Sequence, residues 1–466
     1  MYLEEDQLHE ECGVIGVYDS DENAAEYAYY GLYALQHRGQ ESAGIAVNQG
    51  GIINYHKDMG LVPEVFDDEI LAGLKGPMTI GHVRYSTTGD SLIANAQPLV
   101  VNYRQGHIGL AHNGNLVNSD TLREILEDDG VVFQSSIDTE VIVNMLARYA
   151  KNGMVPALKQ VMELLKGAYA LVITTGNQLI GARDPFGLRP LCLGQTETGY
   201  VLSSESCALD TIGAEFVRDV EPGEIVVITE DGVESFKSDK WCKKHLCLFE
   251  LIYFARPDSR MDGTSVYESR VNAGKILAKE AKVDADVVIA VPDSGIPAAI
   301  GYAEASGIPY SVGLIKNRYI GRTFIQPNQA LREQGVKIKL NALKETVAGK
   351  RVIMIDDSIV RGTTSKRIVE LLRRAGAKEV HFMVSSPPVA YSCHFGIDTP
   401  YREYLIAANQ TIDEIRDSIG ADSLHYISLD GLIKATGKKK GFCTACFDGD
   451  YPMEVPRDRK NGKEEN

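Results

Sequence analysis

The stretch Val352 to Ser365, VIMIDDSIVRGTTS, decides the fold of the second half of this chain. An apolar run leads into the adjacent carboxylates of Asp356 and Asp357, and a Ser-, Gly- and Thr-rich loop follows, with a helix predicted from about Lys366. Such a run is typical of a strand buried on both faces of a parallel sheet. Paired carboxylates at its end are costly unless something binds there. The loop amides and the helix N-terminus suit an anion, and the carboxylates suit ribose hydroxyls and Mg²⁺.

A second buried strand precedes this stretch and ends in a similar way. Asp286 to Val291 (DVVIAV) is a continuous apolar run, and the turn Pro292 to Gly295 (PDSG) follows it, with Asp293 and Ser294 inside the turn. From Tyr267 onward helical and strand-like segments alternate, which predicts an α/β domain with a covered parallel sheet. Alone, PDSG would be only a turn. Because ligands of such sheets bind at the carboxyl ends of the strands, we expect both loops to form one site.

The charge of the chain limits its partners. There are 64 acidic residues against 48 Lys and Arg, giving a formal charge of −16. This composition argues against a nucleic-acid partner, which would need a basic surface. The segment Lys316 to Pro327 (KNRYIGRTFIQP) is a local basic exception that contains Lys316 and Arg318. It is either a phosphate-binding loop or a solvated basic loop.

Length and composition predict two domains in the cytoplasm. A chain of 466 residues is long for one core. No apolar run approaches roughly 20 residues, so no transmembrane segment is expected. The acidic start Met1 to Glu11 (MYLEEDQLHEE) does not resemble a secretory signal. Eight cysteines are too sparse for a disulfide framework, so chemistry or metal binding better explains some of them.

The first half is predicted to be a mixed α+β domain over residues 12 to 240, followed by a second domain over residues 241 to 466. Helical spacing of apolar residues predicts helices over Asp138 to Tyr149 and Val155 to Leu165. Arg457 to Asn466 is charged and predicted to be disordered. The predicted strands of the first half are Gly13–Tyr18, Ser42–Val47, Met78–Val83, His107–Ala111, Tyr169–Thr174 and Glu224–Thr229.

Short motifs in one order mark the first half. They are CGVIGVY (12–18), QHRGQESAG (36–44), GHVRYSTTG (81–89), AHNGN (111–115), SSIDTE (135–140) and DPFGLRP (184–190). Together they resemble the class II glutamine amidotransferase domain, an N-terminal-nucleophile hydrolase with a sandwich fold. The resemblance implies that Cys12 is the nucleophile, that its α-amine moves the proton, and that residues 1 to 11 are a removable propeptide. On its own, Cys12 would be a small buried hydrophobe and the leader a disordered tail.

The same resemblance assigns roles to further residues. It implies that Arg84 pairs with the α-carboxylate of glutamine and Asp138 with its α-ammonium. It also implies that Asn113 and the backbone N–H of Gly114 form the oxyanion hole, which amide hydrolysis needs besides a nucleophile and a base. The alternatives are that Arg84 is a surface charge and Asp138 a helix cap. The histidines interpreted as structural are His37, His82 and His112.

The run from Val352 to Ser365 matches the fingerprint of type I phosphoribosyltransferases, and the two halves together resemble the phosphoribosyl amidotransferases. A Walker-B-like or bare turn is the alternative, but the chain has no Walker A sequence. The resemblance implies that ammonia from glutamine reacts with phosphoribosyl pyrophosphate, in the first committed step of de novo purine biosynthesis. It also implies that the ammonia passes through a channel, which the basic loop completes when it closes. It also implies purine nucleotide inhibitors at Lys316 and Arg318, and a homo-oligomer. The residues assigned to phosphoribosyl pyrophosphate and Mg²⁺ are Asp293, Ser294, Asp356, Asp357, Arg361, Gly362, Thr363 and Thr364.

A group of cysteines indicates a metal site. Cys443 and Cys446 form a C-x-x-C pair, and Cys247 and Cys393 lie far away in sequence. Four thiolates suit zinc or an iron–sulfur cluster, and the spacing does not decide between them. One subgroup of the phosphoribosyl amidotransferases has a propeptide and a [4Fe–4S] cluster, and resemblance to it implies a structural or oxygen-sensing cluster here. Cys242 is a rival ligand, and unrelated buried thiols are the alternative. The cysteines interpreted as structural are Cys192 and Cys207.

Two other functions stay open at this point. An asparagine or glucosamine-phosphate synthase would share the amidotransferase half, but neither needs a pyrophosphate-sugar site. A non-enzymatic sensor of nucleotide or oxygen would be expected to have lost site residues such as Cys12 or Asp356, and both are present.

Overall fold

The computed structural model describes residues 12–85, 91–238, 242–317, 340–397, 399 and 401–456. Some of the sequence predictions fall outside these residues. They are the propeptide 1–11, Arg318 with the rest of the basic loop after residue 317, the domain boundary at 240 and 241, and the tail 457–466.

Two facing antiparallel sheets build the first half. Their strands are β1 (Gly13–Asp19), β2 (Ser42–Gln49), β3 (Ile52–Met59), β4 (Met78–Arg84), β5 (Leu99–Tyr103), β6 (Gly106–Leu116), β7 (Gly167–Thr175), β8 (Gln178–Arg183), β9 (Cys192–Gln195), β10 (Gly199–Ser203), β11 (Glu215–Asp219), β12 (Glu224–Thr229) and β13 (Gly232–Lys237). The order is β11-β9-β10-β1-β4-β2-β3 in one sheet and β13-β12-β8-β7-β6-β5 in the other. The helices are α1 (Ala24–Ala34), α2 (Val62–Val65), α3 (Asp68–Gly73), α4 (Ser119–Asp128), α5 (Asp138–Tyr149), α6 (Met154–Leu164) and α7 (Ser206–Ile212), with 3₁₀ turns at Ile93–Asn95 and Ala150–Asn152.

Apolar side chains between the two sheets form the centre of this half. Val14, Ile80 and Ala111 all belong to this buried layer. The sheets approach closely at Gly16, where a Cβ atom would lie 2.5 Å from Cγ1 of Val172, so a larger residue would force the sheets apart. Helices α1 and α7 cover the outer face of the first sheet, and α5 and α6 cover that of the second. The result is the sandwich that the motifs imply.

A parallel sheet with the order β17-β20-β21-β22 organises the second half. The strands here are β14 (Leu246–Cys247), β15 (Arg260–Met261), β16 (Thr264–Ser265), β17 (Val287–Ala290), β18 (Leu314–Lys316), β19 (Leu340–Ala342), β20 (Arg351–Asp356), β21 (Glu379–Val384), β22 (Ser423–Tyr426) and β23 (Phe442–Cys443). The helices are α8 (Val266–Glu280), α9 (Ile296–Ser306), α10 (Lys344–Val347), α11 (Thr363–Arg374), α12 (Ile406–Asn409), α13 (Ile412–Ile419), α14 (Leu429–Ala435) and α15 (Ala445–Asp448), with a π-helical turn at Glu250–Phe254 and a 3₁₀ turn at Arg402–Tyr404.

The apolar run of β20 is explained by burial on both faces of this sheet. Ile353 and Ile355 pack into the core that includes α8 and α9. Val352 and Met354 pack into the core that includes α11 and α13. Because neither face meets water, the strand is continuously apolar rather than alternating.

The predicted fold class is confirmed, with two local corrections. The helix after the DDSIVRG loop begins at Thr363 rather than near Lys366, because Gly362 takes a positive φ of 83° as its N-cap and turns the chain at once. The strand predicted over His107 to Ala111 continues to Leu116, since pairing with β7 extends to Leu116 and Gly167. Within the described residues, no helix is long and apolar enough to cross a membrane.

Candidate active sites

The start of β1 and the end of β4 bring Cys12 beside Arg84. The two strands are antiparallel with Gly13 opposite Val83, so the residue before β1 meets the residue that ends β4. The Cys12 Sγ lies 3.5 Å from the carbonyl oxygen of Tyr85. Burial raises the pKa of the Cys12 thiol to about 11, although Arg84 favours the thiolate. The thiol is therefore protonated at neutral pH, and its activation requires a base.

Asn113 offers an unpaired buried amide on β6. The residue is fully buried, and neither its side-chain nitrogen nor its oxygen has a hydrogen-bond partner among the described residues. A buried amide without partners is costly, which is consistent with a ligand atom meeting it there. The next residue, Gly114, has a φ of 143°, and a Cβ atom there would lie 2.1 Å from the carbonyl oxygen of Ala168. Only glycine fits this position.

Arg84 and Asp138 are both buried. This corrects the alternatives, in which Arg84 is a surface charge and Asp138 a helix cap. Arg84 donates a 2.6 Å hydrogen bond to Oε1 of Glu41 and is not a surface charge. Asp138 is the first residue of α5, whose N-cap position is Ile137, and its Oδ2 accepts a hydrogen bond from the N–H of Leu116 at 2.9 Å. Burial raises its pKa, but the charge and hydrogen bond of His112 outweigh burial and leave the pKa lowered. Asp138 is therefore an anion at neutral pH.

Hydrogen bonds of the neighbouring histidines connect the two sheets. The Nε2 of His82 lies 3.1 Å from the carbonyl oxygen of His112, which can only accept, so this nitrogen carries the proton. Burial lowers the pKa of His82 to about 3. His112 in turn lies 3.4 Å from Oδ1 of Asp138. The structural role predicted for His82 and His112 stays a prediction.

A cavity of about 390 Å³ opens at the carboxyl ends of β17 and β20. The two strands are adjacent and parallel, with Ala290 opposite Ile355, so the loops that follow them meet. The predicted residues that line this cavity are Asp293, Ser294, Lys316, Asp356, Asp357, Gly362 and Thr364. Arg361 and Thr363 are not among its lining residues; Arg361 lies over the ring of Tyr404, 5.8 Å from the centroid, and Thr363 begins α11.

The paired carboxylates have the electrostatics of a cation site. Burial raises the pKa of Asp357, while hydrogen bonds from Ser294 and Ser358 and the charge of Arg270 act against that rise. The backbone N–H of Asp357 donates to Oδ1 of Asp356 at 2.9 Å. Both carboxylates line the cavity wall, and oxygen ligands of this kind would suit a divalent cation such as Mg²⁺. Lys316 reaches the same wall, 3.5 Å from Oδ2 of Asp293.

The cavity also has basic residues that sequence reasoning missed. Arg270, on α8, is buried and donates to the carbonyl oxygens of Leu251 and Ala255 at 2.8 and 2.7 Å. Burial lowers its pKa to about 10, so it remains a cation. His37 and Arg256 line the cavity as well. His37 was predicted to be a structural residue, and it therefore also borders the candidate site. No motif marks Arg270 or Arg256, because only the fold brings them to this edge.

A buried ionic network lies between the two halves. Arg38 donates to Glu205 at 2.6 Å and, through both terminal nitrogens, to Glu250 at 3.0 and 2.7 Å. Its Nε also donates to the carbonyl oxygen of Cys12 at 3.1 Å. His37 lies 2.7 Å from the same oxygen of Glu205. The QHRG motif contained Arg38 and His37, but nothing in the sequence singled out either carboxylate.

The four cysteines predicted as ligands line one small cavity. Cys247 and Cys443 lie opposite each other on the paired parallel strands β14 and β23, and Cys446 follows on α15. Cys393 joins them, and its sulfur accepts the N–H of Phe395 at 3.3 Å. Cys242 is exposed and is not among the lining residues, so it is the weaker candidate.

Two properties of these thiols bear on metal binding, their spacing and their protonation. Among the described residues, no group of three or more His, Cys, Asp or Glu is placed to hold a metal ion. Burial raises the pKa of Cys247, Cys443 and Cys446. The thiols are neutral without metal, and a metal would deprotonate them.

Family models and relatives match both halves. A model described as a glutamine amidotransferase domain matches residues 82–211, and one described as a phosphoribosyl transferase domain matches residues 266–387. The amidophosphoribosyltransferase of Bacillus subtilis (strain 168) is 52% identical over 457 residues, which cover 97% of this chain and 96% of that protein. The chain belongs to the amidophosphoribosyltransferase family. The Archaeoglobus fulgidus amidophosphoribosyltransferase is 53% identical over 451 residues, covering 96% and 98% of the two chains.

Two solved structures share the fold over nearly the whole chain. The B. subtilis glutamine phosphoribosylpyrophosphate amidotransferase complexed with ADP and GMP aligns with a TM-score of 0.91 at 51% identity, covering 97% of this chain and 99% of that one. A structure of the allosteric regulatory enzyme of purine biosynthesis aligns with a TM-score of 0.92 at 52% identity, covering 96% and 97%. Membership of the amidophosphoribosyltransferase family excludes the asparagine and glucosamine-phosphate synthases and does not favour a non-enzymatic sensor.

Proposed function

We propose that the chain converts glutamine, phosphoribosyl pyrophosphate and water to 5-phosphoribosylamine, glutamate and pyrophosphate, as an amidophosphoribosyltransferase of purine biosynthesis does. The observation that carries the proposal is the pairing of two sites in one chain. Cys12 lies beside Arg84 in the half that also contains the buried Asn113 amide, which has no partner among the described residues, and the other half presents the Asp356 and Asp357 carboxylates at a cavity wall. One site releases ammonia and the other consumes it.

Glutamine hydrolysis is assigned to the Cys12 site. Removal of residues 1 to 11 frees the α-amine of Cys12, whose usual pKa of about 7.7–8.0 suits a base at neutral pH. The amine takes the thiol proton, the sulfur attacks the side-chain amide carbon, and the oxyanion meets the amide nitrogen of Asn113 and the N–H of Gly114. Ammonia leaves with the proton, and water hydrolyses the thioester to glutamate. Arg84 and Asp138 bind the α-carboxylate and α-ammonium of glutamine, since both are charged and buried beside the thiol.

The transfer step is assigned to the cavity at the end of β20. The loop amides at Gly362 and Thr364 and the N-terminus of α11 bind the phosphate groups. Asp356 and Asp357 would hold Mg²⁺, which would supply positive charge to neutralise the pyrophosphate. Ammonia forms a bond to the anomeric carbon of the ribose, and pyrophosphate leaves from the same carbon. Arg270 and Lys316 add positive charge where the leaving group gains negative charge.

The four cysteines around the second cavity are assigned to a [4Fe–4S] cluster. Cys247, Cys393, Cys443 and Cys446 would hold it, and the donor set and the apolar lining from Leu188, Phe395 and Ile397 fit such a group. Neither reaction step transfers electrons, so the cluster would serve to cross-link β14, β23, α15 and the 393–397 loop, and it would make the protein sensitive to oxygen.

Regulation and location complete the proposal. The solved B. subtilis relative is complexed with ADP and GMP, which supports purine nucleotide inhibitors for this chain, with Lys316 and Arg318 as phosphate contacts. A homo-oligomer and a cytoplasmic location are part of the proposal as well. All eight cysteines are free, which suits a reducing compartment.

The decisive experiment follows glutamate and pyrophosphate together in protein purified without oxygen, whose intact mass is measured first. With glutamine, phosphoribosyl pyrophosphate and Mg²⁺, we expect equal release of both products from a chain that begins at Cys12. We expect Cys12→Ala to stop glutamate release but to keep pyrophosphate release with ammonium in place of glutamine. Glutamate release by Cys12→Ala or by a full-length chain would contradict the nucleophile or the propeptide, and release of neither product would favour a sensor.

A further inference from the structure

A loop of the second half lies directly behind the strand proposed to bear the oxyanion hole. The side-chain nitrogen of Asn115 on β6 donates a 3.0 Å hydrogen bond to the carbonyl oxygen of His394. Two residues further along this loop, Gly396 lies against Gly114. A Cβ atom at position 396 would be 3.2 Å from the Gly114 carbonyl carbon and 3.3 Å from its Cα. The loop therefore touches β6 at both residues that follow Asn113.

Charged and apolar contacts hold the same loop in place. Arg189, in the first half, donates through Nε to the carbonyl oxygen of Phe395 at 3.0 Å, and its Nη1 lies 3.6 Å from Glu250. Phe395 also packs with Ala168 and Leu188 in a small core between the halves. Ala168 is the residue whose carbonyl oxygen limits position 114 to glycine. The loop is thus fixed to β6 at Gly114 and Asn115 and to β7 at Ala168.

We propose that the segment His394–Gly396 positions the oxyanion hole, and that Asn115 and Gly396 are positioning residues for glutamine hydrolysis. The inference rests on the proposed roles of Asn113 and Gly114. An oxyanion donor is effective only when its N–H points at the position of the developing charge, and a misplacement of about 1 Å can cost about 100-fold in rate. Asn115 and Gly396 touch neither substrate, so they act through the backbone of Asn113 and Gly114.

The test compares two variants with matched controls. Asn115→Asp keeps the shape of the side chain but removes the N–H donor to His394. Gly396→Ala places a methyl group 2.9 Å from Nη2 of Arg189 and 3.2 Å from the carbonyl carbon of Gly114. Asn118→Asp loses a similar 3.0 Å bond to a carbonyl oxygen, that of Leu164, within the first half. Gly437→Ala places a methyl group at a positive φ of 75° with open space around it.

For both test variants we expect kcat for glutamine hydrolysis to fall about 10-fold or more, as for a weakened oxyanion donor. The KM for glutamine should stay within about 2-fold, because the proposed Arg84 and Asp138 contacts are untouched. Pyrophosphate release with ammonium as nitrogen source should be unchanged, because the second site is intact. Both controls should keep the wild-type kcat.

The variant Asn113→Ala distinguishes an error in the proposed oxyanion hole from an error in the proposed positioning of that hole by the loop. If Asn113→Ala hydrolyses glutamine at the wild-type rate, the oxyanion assignment itself is wrong. If Asn113→Ala loses about 100-fold but Asn115→Asp keeps the wild-type kcat, the loop does not position the hole. An equal loss of glutamine- and ammonium-dependent activity in both test variants would also overturn the inference, since it would indicate general unfolding.

Discussion

Burial sets the protonation of the residues around Cys12. The Cys12 thiol has a raised pKa and the His82 imidazole a lowered one, because each loses water and neither charged form gains a sufficient partner. Asp138 is buried too, yet it stays charged because His112 and two backbone N–H groups bond to it. The difference lies in the partners, which decide whether a buried group keeps its charge.

The lowered pKa of His82 predicts a loss of stability in acid. In the unfolded chain this imidazole takes a proton near its usual pKa of about 6.5, whereas the folded state resists protonation down to about 3. The free energy of unfolding therefore falls as the pH drops below about 6.5, by at most about 1.4 kcal/mol per pH unit from this group. We expect His82→Gln to remove that part of the slope in denaturant unfolding measured at pH 7, 6 and 5. An unchanged slope in the variant would contradict the burial argument.

Part of the two candidate sites could be predicted from the types of residue found in short motifs. The positions of Cys12, Asn113, Asp356 and Asp357 follow from short sequence patterns that stand next to strands, although their roles stay predictions. Arg270 could not be predicted in this way. It is a single basic residue in an ordinary helix, and only the packing of α8 on the sheet brings it to the cavity.

Very short elements bring the distant cysteines together. β14 and β23 are each two residues long, and their parallel pairing puts Cys247 opposite Cys443. The C-x-x-C spacing then places Cys446 on the first turn of α15. Strands of this length have no propensity signal, so the sequence predicted the cysteine set through a resemblance and not through the fold.

Substitution of single cysteines tests this arrangement. If the proposed cluster is present, the Cys247→Ser protein purified without oxygen should contain much less iron than wild type and should unfold at a lower temperature, because one proposed ligand and its cross-link are gone. Cys242→Ser is the matched control and should keep both values, since its side chain packs near Gly223 and not at the cavity. Loss of iron in Cys242→Ser with full iron in Cys247→Ser would reverse the assignment.

Secondary structure was most predictable where burial has a clear period. The helix over Asp138 to Tyr149 has the predicted bounds because its apolar residues recur at three and four positions. β20 was equally clear as a continuous apolar run. The AHNGN motif contains residues usual in turns but continues β6, because pairing with β7 along the whole segment overrides local preference. A single sequence does not contain that pairing.

The halves of the molecule are joined by buried charges as well as by apolar contacts. Arg38 of the first half bonds to Glu250 of the second, and Glu250 also lies near Arg189. Burial alone would lower the pKa of Arg38, but Glu250 and Glu205 outweigh it and raise the pKa. The Nη1 of Arg189 lies 3.6 Å from Oε1 of Glu250, against 2.7 Å for Nη2 of Arg38.

Removal of Arg38 should therefore destabilise the junction strongly. Arg38→Met leaves Glu205 and Glu250 buried with less compensation, and losing one partner of a buried ion pair costs about 3–5 kcal/mol. We expect a lower midpoint in thermal or denaturant unfolding. Arg148→Met is the control, because it breaks an ion pair with Asp129 that is open to solvent, and the midpoint should not change. Equal midpoints for the two variants would contradict a strong contribution from the network.

The order of synthesis gives the junction a further consequence. The ribosome completes Cys12, Arg38 and Asn113 long before it makes Glu250 and Phe395, the groups that Arg38 and Arg189 bond in the finished protein. A nascent amidotransferase half therefore exists for a time without these supports. If glutamine hydrolysis depends on the His394–Gly396 segment, as proposed, the growing chain cannot release ammonia from glutamine before its acceptor site has been made.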